Sequence, residues 1–190
     1  MFTKSKLREI EILMLDGVEA SGWYDDAHND IQGFAKDTQQ CATMVADVVA
    51  ILSPRVQVSR NCKLALEWLE TGKASGAMGQ RLDALELYVQ NGVVSGPKVS
   101  CFAENLKGNF DEITVDVWIA KAFGVAFDTI TDTQREAIKE VIRELAAYHG
   151  MTPASVQACI WVGKRKAEGL TDSEGALLLS HHIDLEAELC

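Results

Sequence analysis

The chain is 190 residues long, with 28 acidic against 18 basic side chains and a formal charge of −10. The length is ample for one domain with a real core, and a composition 47% hydrophobic and 24% charged excludes a disordered chain. No window approaches the ~18 uninterrupted apolar residues of a membrane span, and residues 1–11 alternate charge with aliphatics and hold no signal-peptide core, so the reading is a cytoplasmic protein with no membrane partner.

In chain order, Trp23, Tyr24 and His28 follow helical spacing and read as half-core positions. Cys41, Met44, Val45, Val48, Val49 and Leu52 recur at i, i+3, i+4 and i+7, which predicts a largely buried helix. Ser53-Pro54 ends it and opens the next segment. Leu64, Leu66, Trp68 and Leu69 lead to Thr71-Gly72, a C-cap signal. Leu82, Leu85, Tyr88 and Val89 predict another helix, closed by Asn91-Gly92. A short helix starts at Pro97 and ends near Gly108. The apolar run Val115–Val125 predicts a buried helix. Thr131-x-x-Gln134 is a capping box before a helix that ends at His149-Gly150. Thr152-Pro153 opens one that runs to about Gly169, and Asp172 caps a last one. All three prolines (Pro54, Pro97, Pro153) read as helix starts, where the missing N–H costs nothing. The sum is nine or ten helices and no strand, an all-α protein read as a single domain over 1–190.

Charge is unevenly spread. Residues 1–52 and 122–190 each carry net −5, whereas 53–121 is neutral and holds Arg55, Arg60, Lys63, Arg81, Lys98 and Lys107. A polyanion would approach that middle segment. The five cysteines (Cys41, Cys62, Cys101, Cys159, Cys190) contain no CxxC. They predict free thiols in a reducing compartment, with no disulfide framework, zinc knuckle or iron–sulfur cluster. Asp25, Asp26, His28 and Asp30 are metal-ligand residue types, as are His181, His182 and Asp184. On a helix, however, His28 does not share the face of Asp26 and Asp30, so both sets read as surface. No metal or organic cofactor is expected. Lys164-Arg165-Lys166 suits a helix C-terminus without invoking a ligand.

The stretch richest in chemistry is Gly92-Val-Val-Ser95-Gly96-Pro97-Lys98-Val99, followed by Thr114-Val115-Asp116-Val117-Trp118. A helix ends, a tight hairpin follows, and a second helix opens at Pro97. Amide N–H groups at such a place seat a phosphate. Lys98 lies in the first turn, where the helix dipole and partial burial disfavour a cation and would push its pKa down, as a nucleophilic lysine requires. Asp116 is a carboxylate within an apolar run, so it needs a partner or a task. N-capping of the helix that begins at Val117 is one such task.

These residues resemble the helix–hairpin–helix DNA glycosylases, the superfamily of endonuclease III and 8-oxoguanine DNA glycosylase. That superfamily pairs a hairpin ending Gly-x-Lys-[Thr/Val] with Val-Asp-[Thr/Val]-His some twenty residues later. Here the corresponding residues are Gly96-Pro97-Lys98-Val99 and Val115-Asp116-Val117-Trp118, with Val94 at the first hairpin glycine and Trp118 at the histidine. The resemblance spans about residues 45–125, with a helix–hairpin–helix core over about 80–125. It implies that Lys98 attacks the sugar C1′ to form a Schiff base and that Asp116 stabilises the sugar cation. Ile51-Leu52-Ser53-Pro54-Arg55 resembles the loop that fills the gap left by a flipped base, with Arg55 as the wedge. DNA contacts are then expected from Ser53, Arg55, Arg60, Asn61, Ser95 and Gly96, and a base pocket from Trp23 and Tyr24. The chain also looks like phage and actinobacterial proteins distantly similar to these glycosylases. Two other readings stand beside this one. One is a phage transferase that modifies a hypermodified thymine in the same cleft. The other is a non-enzymatic protein whose acidic surface, including Glu168–Glu188, holds a basic partner.

Overall fold

The computed structural model describes residues 2–170 and 179. Among these residues the protein is all-helical, with nine α-helices, two single 3₁₀ turns and no strand. The helices are α1 (Lys4–Asp16), α2 (Trp23–Asp37), α3 (Ala42–Leu52), α4 (Val58–Thr71), α5 (Gly79–Asn91), α6 (Pro97–Leu106), α7 (Val117–Ala122), α8 (Asp132–His149) and α9 (Pro153–Ala167). None is long and apolar enough to cross a membrane. The helix expected after Asp172, the His181-His182-Asp184 cluster and most of the acidic end lie outside the described residues.

The chain folds as two compact units. The described part of the first comprises residues 2–24 and 109–170, and that of the second residues 25–108 and 179. Each unit is built around one helix with a long buried stretch, Ala154–Ile160 of α9 and Val45–Leu52 of α3.

In the first unit that helix is α9. Its Val156, Cys159 and Ile160 are buried, and α1, α7 and α8 pack on it. The crossing with α1 is close because Gly17 and Gly163 face the opposing backbone. A Cβ on Gly163 would stand 1.9 Å from the Leu13 carbonyl oxygen, and one on Gly17 2.1 Å from that of Cys159. The caps are as anticipated. Thr131 and Gln134 close a reciprocal capping box on α8, and Thr152 Oγ1 accepts from the Ser155 N–H with Pro153 in the first turn of α9.

In the second unit the central helix is α3, buried from Val45 to Leu52. Helices α4, α5 and α6 each pack against it. Gly72 and Gly92 end α4 and α5 in the left-handed conformation, as the C-cap signals predict.

Two boundaries differ from expectation. Pro54 does not start a helix. Its carbonyl accepts from the Arg81 guanidinium, and Arg55 adopts φ +56°, so the chain turns before α4 begins at Val58. The run 115–125 is helical only over Val117–Ala122. Val115 precedes the extended N-cap Asp116, and Gly124 at φ +71° follows the helix end.

Candidate functional site

In the second unit, the hairpin between α5 and α6 follows from its local chemistry. The Asn91 side chain accepts from the Val93 N–H at 2.9 Å, Gly92 turns the chain left-handed, and Gly96 at φ +92° N-caps α6. Val94 needs no positive φ, so the residue at the first hairpin glycine is accommodated. Ser95 and Gly96 are exposed at the tip.

Lys98 is half-buried in the first turn of α6. Its Nζ donates to Ser53 Oγ at 3.3 Å and lies 5.7 Å from the centre of the Phe102 ring. Ser53 Oγ in turn donates to the Ala50 carbonyl at 2.8 Å, at the end of α3. Lys98 and Ser53, two predicted site residues 45 apart in sequence, are thereby in contact. Arg55 is exposed on the turn that Ser53 opens, and it forms no ion pair among the described residues.

The scaffold beneath this corner is a buried charge that the sequence did not advertise. Asp47 on α3 is 3% exposed. It pairs with Lys107 Nζ at 2.7 Å, just past the end of α6, and accepts from the Tyr88 hydroxyl of α5 at 3.1 Å. One carboxylate therefore ties both arms of the hairpin to the central helix. Burial alone would lower Lys107, but its hydrogen bonds to Asp47 and Glu104 outweigh that and leave it raised. Burial, helped by the Asp47 charge, pushes the Tyr88 phenol up to about 12. Asp47 is thus an internal anchor. Arg81 is also buried, and desolvation lowers its pKa.

Two expected contacts need correction. Asn61 is 3% exposed and its amide donates to the Val49 carbonyl at 3.0 Å, so it satisfies an open C-terminal carbonyl of α3 and cannot face DNA. Tyr24 is buried, with its hydroxyl donating to Gln157 Oε1 at 2.7 Å, and Trp23 packs edge-on against it at 4.9 Å. Tyr24 is core of the first unit and is too buried to offer a base a free ring face, whereas Trp23 is half-buried. Arg60 is exposed, and its guanidinium reaches the Ser75 carbonyl at 3.4 Å. In the Asp25–Asp30 stretch, His28 Nδ1 donates to the Leu106 carbonyl at 2.9 Å, and the Asp30 carboxylate accepts from the Leu179 N–H at 2.6 Å. Both side chains hold structure.

Asp116 belongs to the first unit. One carboxylate oxygen accepts from the Trp118 and Ile119 N–H groups, both at 2.9 Å, and the other accepts from Trp161 Nε1 at 2.9 Å. The Arg165 guanidinium lies 4.6 Å from the Trp161 ring centre and 5.4 Å from that of Trp118, whose ring also faces Lys121 Nζ at 4.3 Å. No local pattern in the sequence marks either tryptophan as a neighbour of Asp116, because Trp161 lies 45 residues away. The basic triplet is engaged locally. Lys164 pairs with Glu168 at 2.8 Å, Arg165 stacks on the tryptophans, and Lys166 binds Glu19 and the Asp16 carbonyl.

A family model covers residues 15–168. The chain belongs to DUF7178, a family of unknown function. The match takes in both hub helices, the hairpin with Lys98, and the Asp116 cap, so it covers the core of each unit. No curated protein and no solved structure matches the chain.

Proposed function

We propose that this DUF7178 protein acts on DNA as a glycosylase/AP lyase-like enzyme, with Lys98 as the nucleophile; the resemblance gives Asp116 the electrostatic and acid–base role. The observation that carries the reading is the 3.3 Å contact between Lys98 Nζ and Ser53 Oγ. It joins the helix–hairpin–helix motif to the loop that bears the proposed wedge, Arg55, within one corner of the second unit. The left-handed, exposed Arg55 supports the same reading, because a residue held in a sparsely populated backbone region marks a position shaped for use. In the reaction, the Lys98 amine bonds to C1′ and gives up a proton as the C1′–base bond breaks and the base leaves protonated; the C1′–O4′ bond then breaks to give the imine. Loss of a C2′ proton expels the 3′-phosphate, and water hydrolyses the imine to return the amine.

The hydrogen bonds at Asp116 favour a second reading, a protein that binds without catalysis. Both carboxylate oxygens already accept from the chain's own donors, as a purely structural N-cap would. The mass of modified-base and abasic DNA after incubation separates these cases. Loss of the base, abolished in Lys98→Ala, is expected for the glycosylase. A base made heavier would mean a transferase in the same cleft. Unchanged DNA together with a stable complex with a basic protein would establish the binding module.

A further inference from the structure

Ser53 caps the end of α3, and its hydroxyl has a single proton to give. That proton goes to the Ala50 carbonyl at 2.8 Å. What remains on Oγ is acceptor capacity, and Lys98 Nζ donates into it at 3.3 Å. The direction of both bonds is therefore fixed from the backbone end, because a carbonyl only accepts. A phosphate oxygen also only accepts. Ser53 serves a phosphate only by releasing Ala50, so its bonding disfavours the DNA contact expected of it from the sequence.

A nucleophilic lysine needs a holder of this kind. Its amine sits on a flexible four-carbon stem, and a neutral amine attacks through its lone pair. When one N–H is donated to Ser53 Oγ, the lone pair is turned away from the serine. The Phe102 ring, 5.7 Å from Nζ, borders the same amine. We infer that Ser53 is a positioning residue for Lys98, holding the amine by one N–H so that the nitrogen is aimed for attack. The inference rests on the proposed role of Lys98 as nucleophile. Ser53 forms no bond to the sugar and takes up no proton. It acts by keeping the nitrogen in place, where a displacement of about 1 Å costs on the order of 100-fold in rate. The DNA contacts expected at this corner then fall to Arg55, Ser95 and Gly96, all exposed.

Two measurements on the full chain test this, with Ser53→Ala and Ser53→Thr beside the unchanged protein. The first needs no DNA. Formaldehyde and cyanoborohydride methylate lysines, and peptide mass spectrometry compares Lys98 with the exposed Lys63 of the same sample. Ser53→Ala frees the amine and should speed labelling of Lys98 about threefold relative to Lys63, and Ser53→Thr, which keeps the hydroxyl, should restore the original ratio. The second is single-turnover borohydride trapping on saturating abasic DNA, with Kd measured separately. Ser53→Ala should slow trapping at least about tenfold and leave Kd unchanged, and Ser53→Thr should recover the rate. An unchanged labelling ratio in Ser53→Ala overturns the inference, as does an unchanged trapping rate or a threonine that restores neither. A weakened Kd in Ser53→Ala returns Ser53 to the DNA contacts. If the unchanged protein traps no DNA, the glycosylase reading fails, and the labelling ratio still decides whether Ser53 holds Lys98.

Discussion

Asp47 shows how one buried residue holds a motif in place. Its carboxylate is taken from water and compensated by Lys107 and the Tyr88 hydroxyl. Asp47→Ala would take one of two carboxylates from the Lys107 ammonium and the acceptor from the Tyr88 hydroxyl, and is expected to cost about 2 kcal/mol, read by chemical denaturation. The same cluster sets the alkaline limit. Tyr88 is pushed up to about 12, so the folded state holds that proton more tightly than the unfolded chain does. Its contribution is complete below the ordinary tyrosine value of ~10 and is lost as pH rises from there toward 12. Lys107, also raised, loses its contribution in the same direction. Tyr88→Phe should therefore make the alkaline fall in stability shallower, as measured by melts across that window. Among the thiols, Cys41 is exposed at the N-cap of α3, where the Met44 and Thr43 N–H groups lower its pKa. Burial and the nearby Glu19 charge push Cys159 up to about 11. Iodoacetamide at neutral pH should label Cys41 at least ~10-fold faster than Cys159, scored by peptide mass spectrometry.

At the scale of elements, the two glycines of the α1–α9 crossing carry a sharp expectation. A methyl group on Gly163 meets the Leu13 carbonyl, and no side-chain rotation relieves it. Gly163→Ala should destabilise the first unit by about 3 kcal/mol or more. Gly33, on the exposed side of α2, has nothing within 4 Å of its added Cβ, and Gly33→Ala should stabilise by about 0.5–1 kcal/mol. Thermal melts of the two variants should therefore move in opposite directions. Most elements were legible because their signals are local. The Thr131–Gln134 box, Pro97, Pro153, Gly72 and Gly92 each act within a few residues of the helix end they specify. Pro54 misled because Arg55 directly after it turns left-handed and Arg81, 27 residues away, takes its carbonyl. Asn61 and Tyr24 misled for the same reason. Their polar atoms look available in sequence, and only packing shows that Val49 and Gln157 use them. The glycine contact between α1 and α9 left no periodic trace at all.

At the scale of the molecule, each of the two units hangs its helices on one buried hub, α9 or α3. The net charge of −10 sits beside a set of basic side chains of which many already have acidic partners, Lys107, Lys139, Lys164 and Lys166 among them. On the proposed reading, DNA binding would rest on a few cations around the hairpin corner, so its affinity should fall only gently with salt. The candidate site was half legible. Lys98 stood out because Gly96-Pro97 fixes a helix start in front of it, and its contact with Ser53 agrees with two motifs read separately. The anchor beneath it was hidden, because an aspartate inside an apolar helix carries no mark of the tyrosine and lysine that will meet it. The most direct measurement is borohydride trapping on oligonucleotides containing an abasic site, with the adduct mapped by peptide mass spectrometry. The account predicts a covalent protein–DNA adduct on Lys98 that is absent from Lys98→Ala. An adduct mapped to another lysine, or one that persists undiminished in Lys98→Ala, would contradict it.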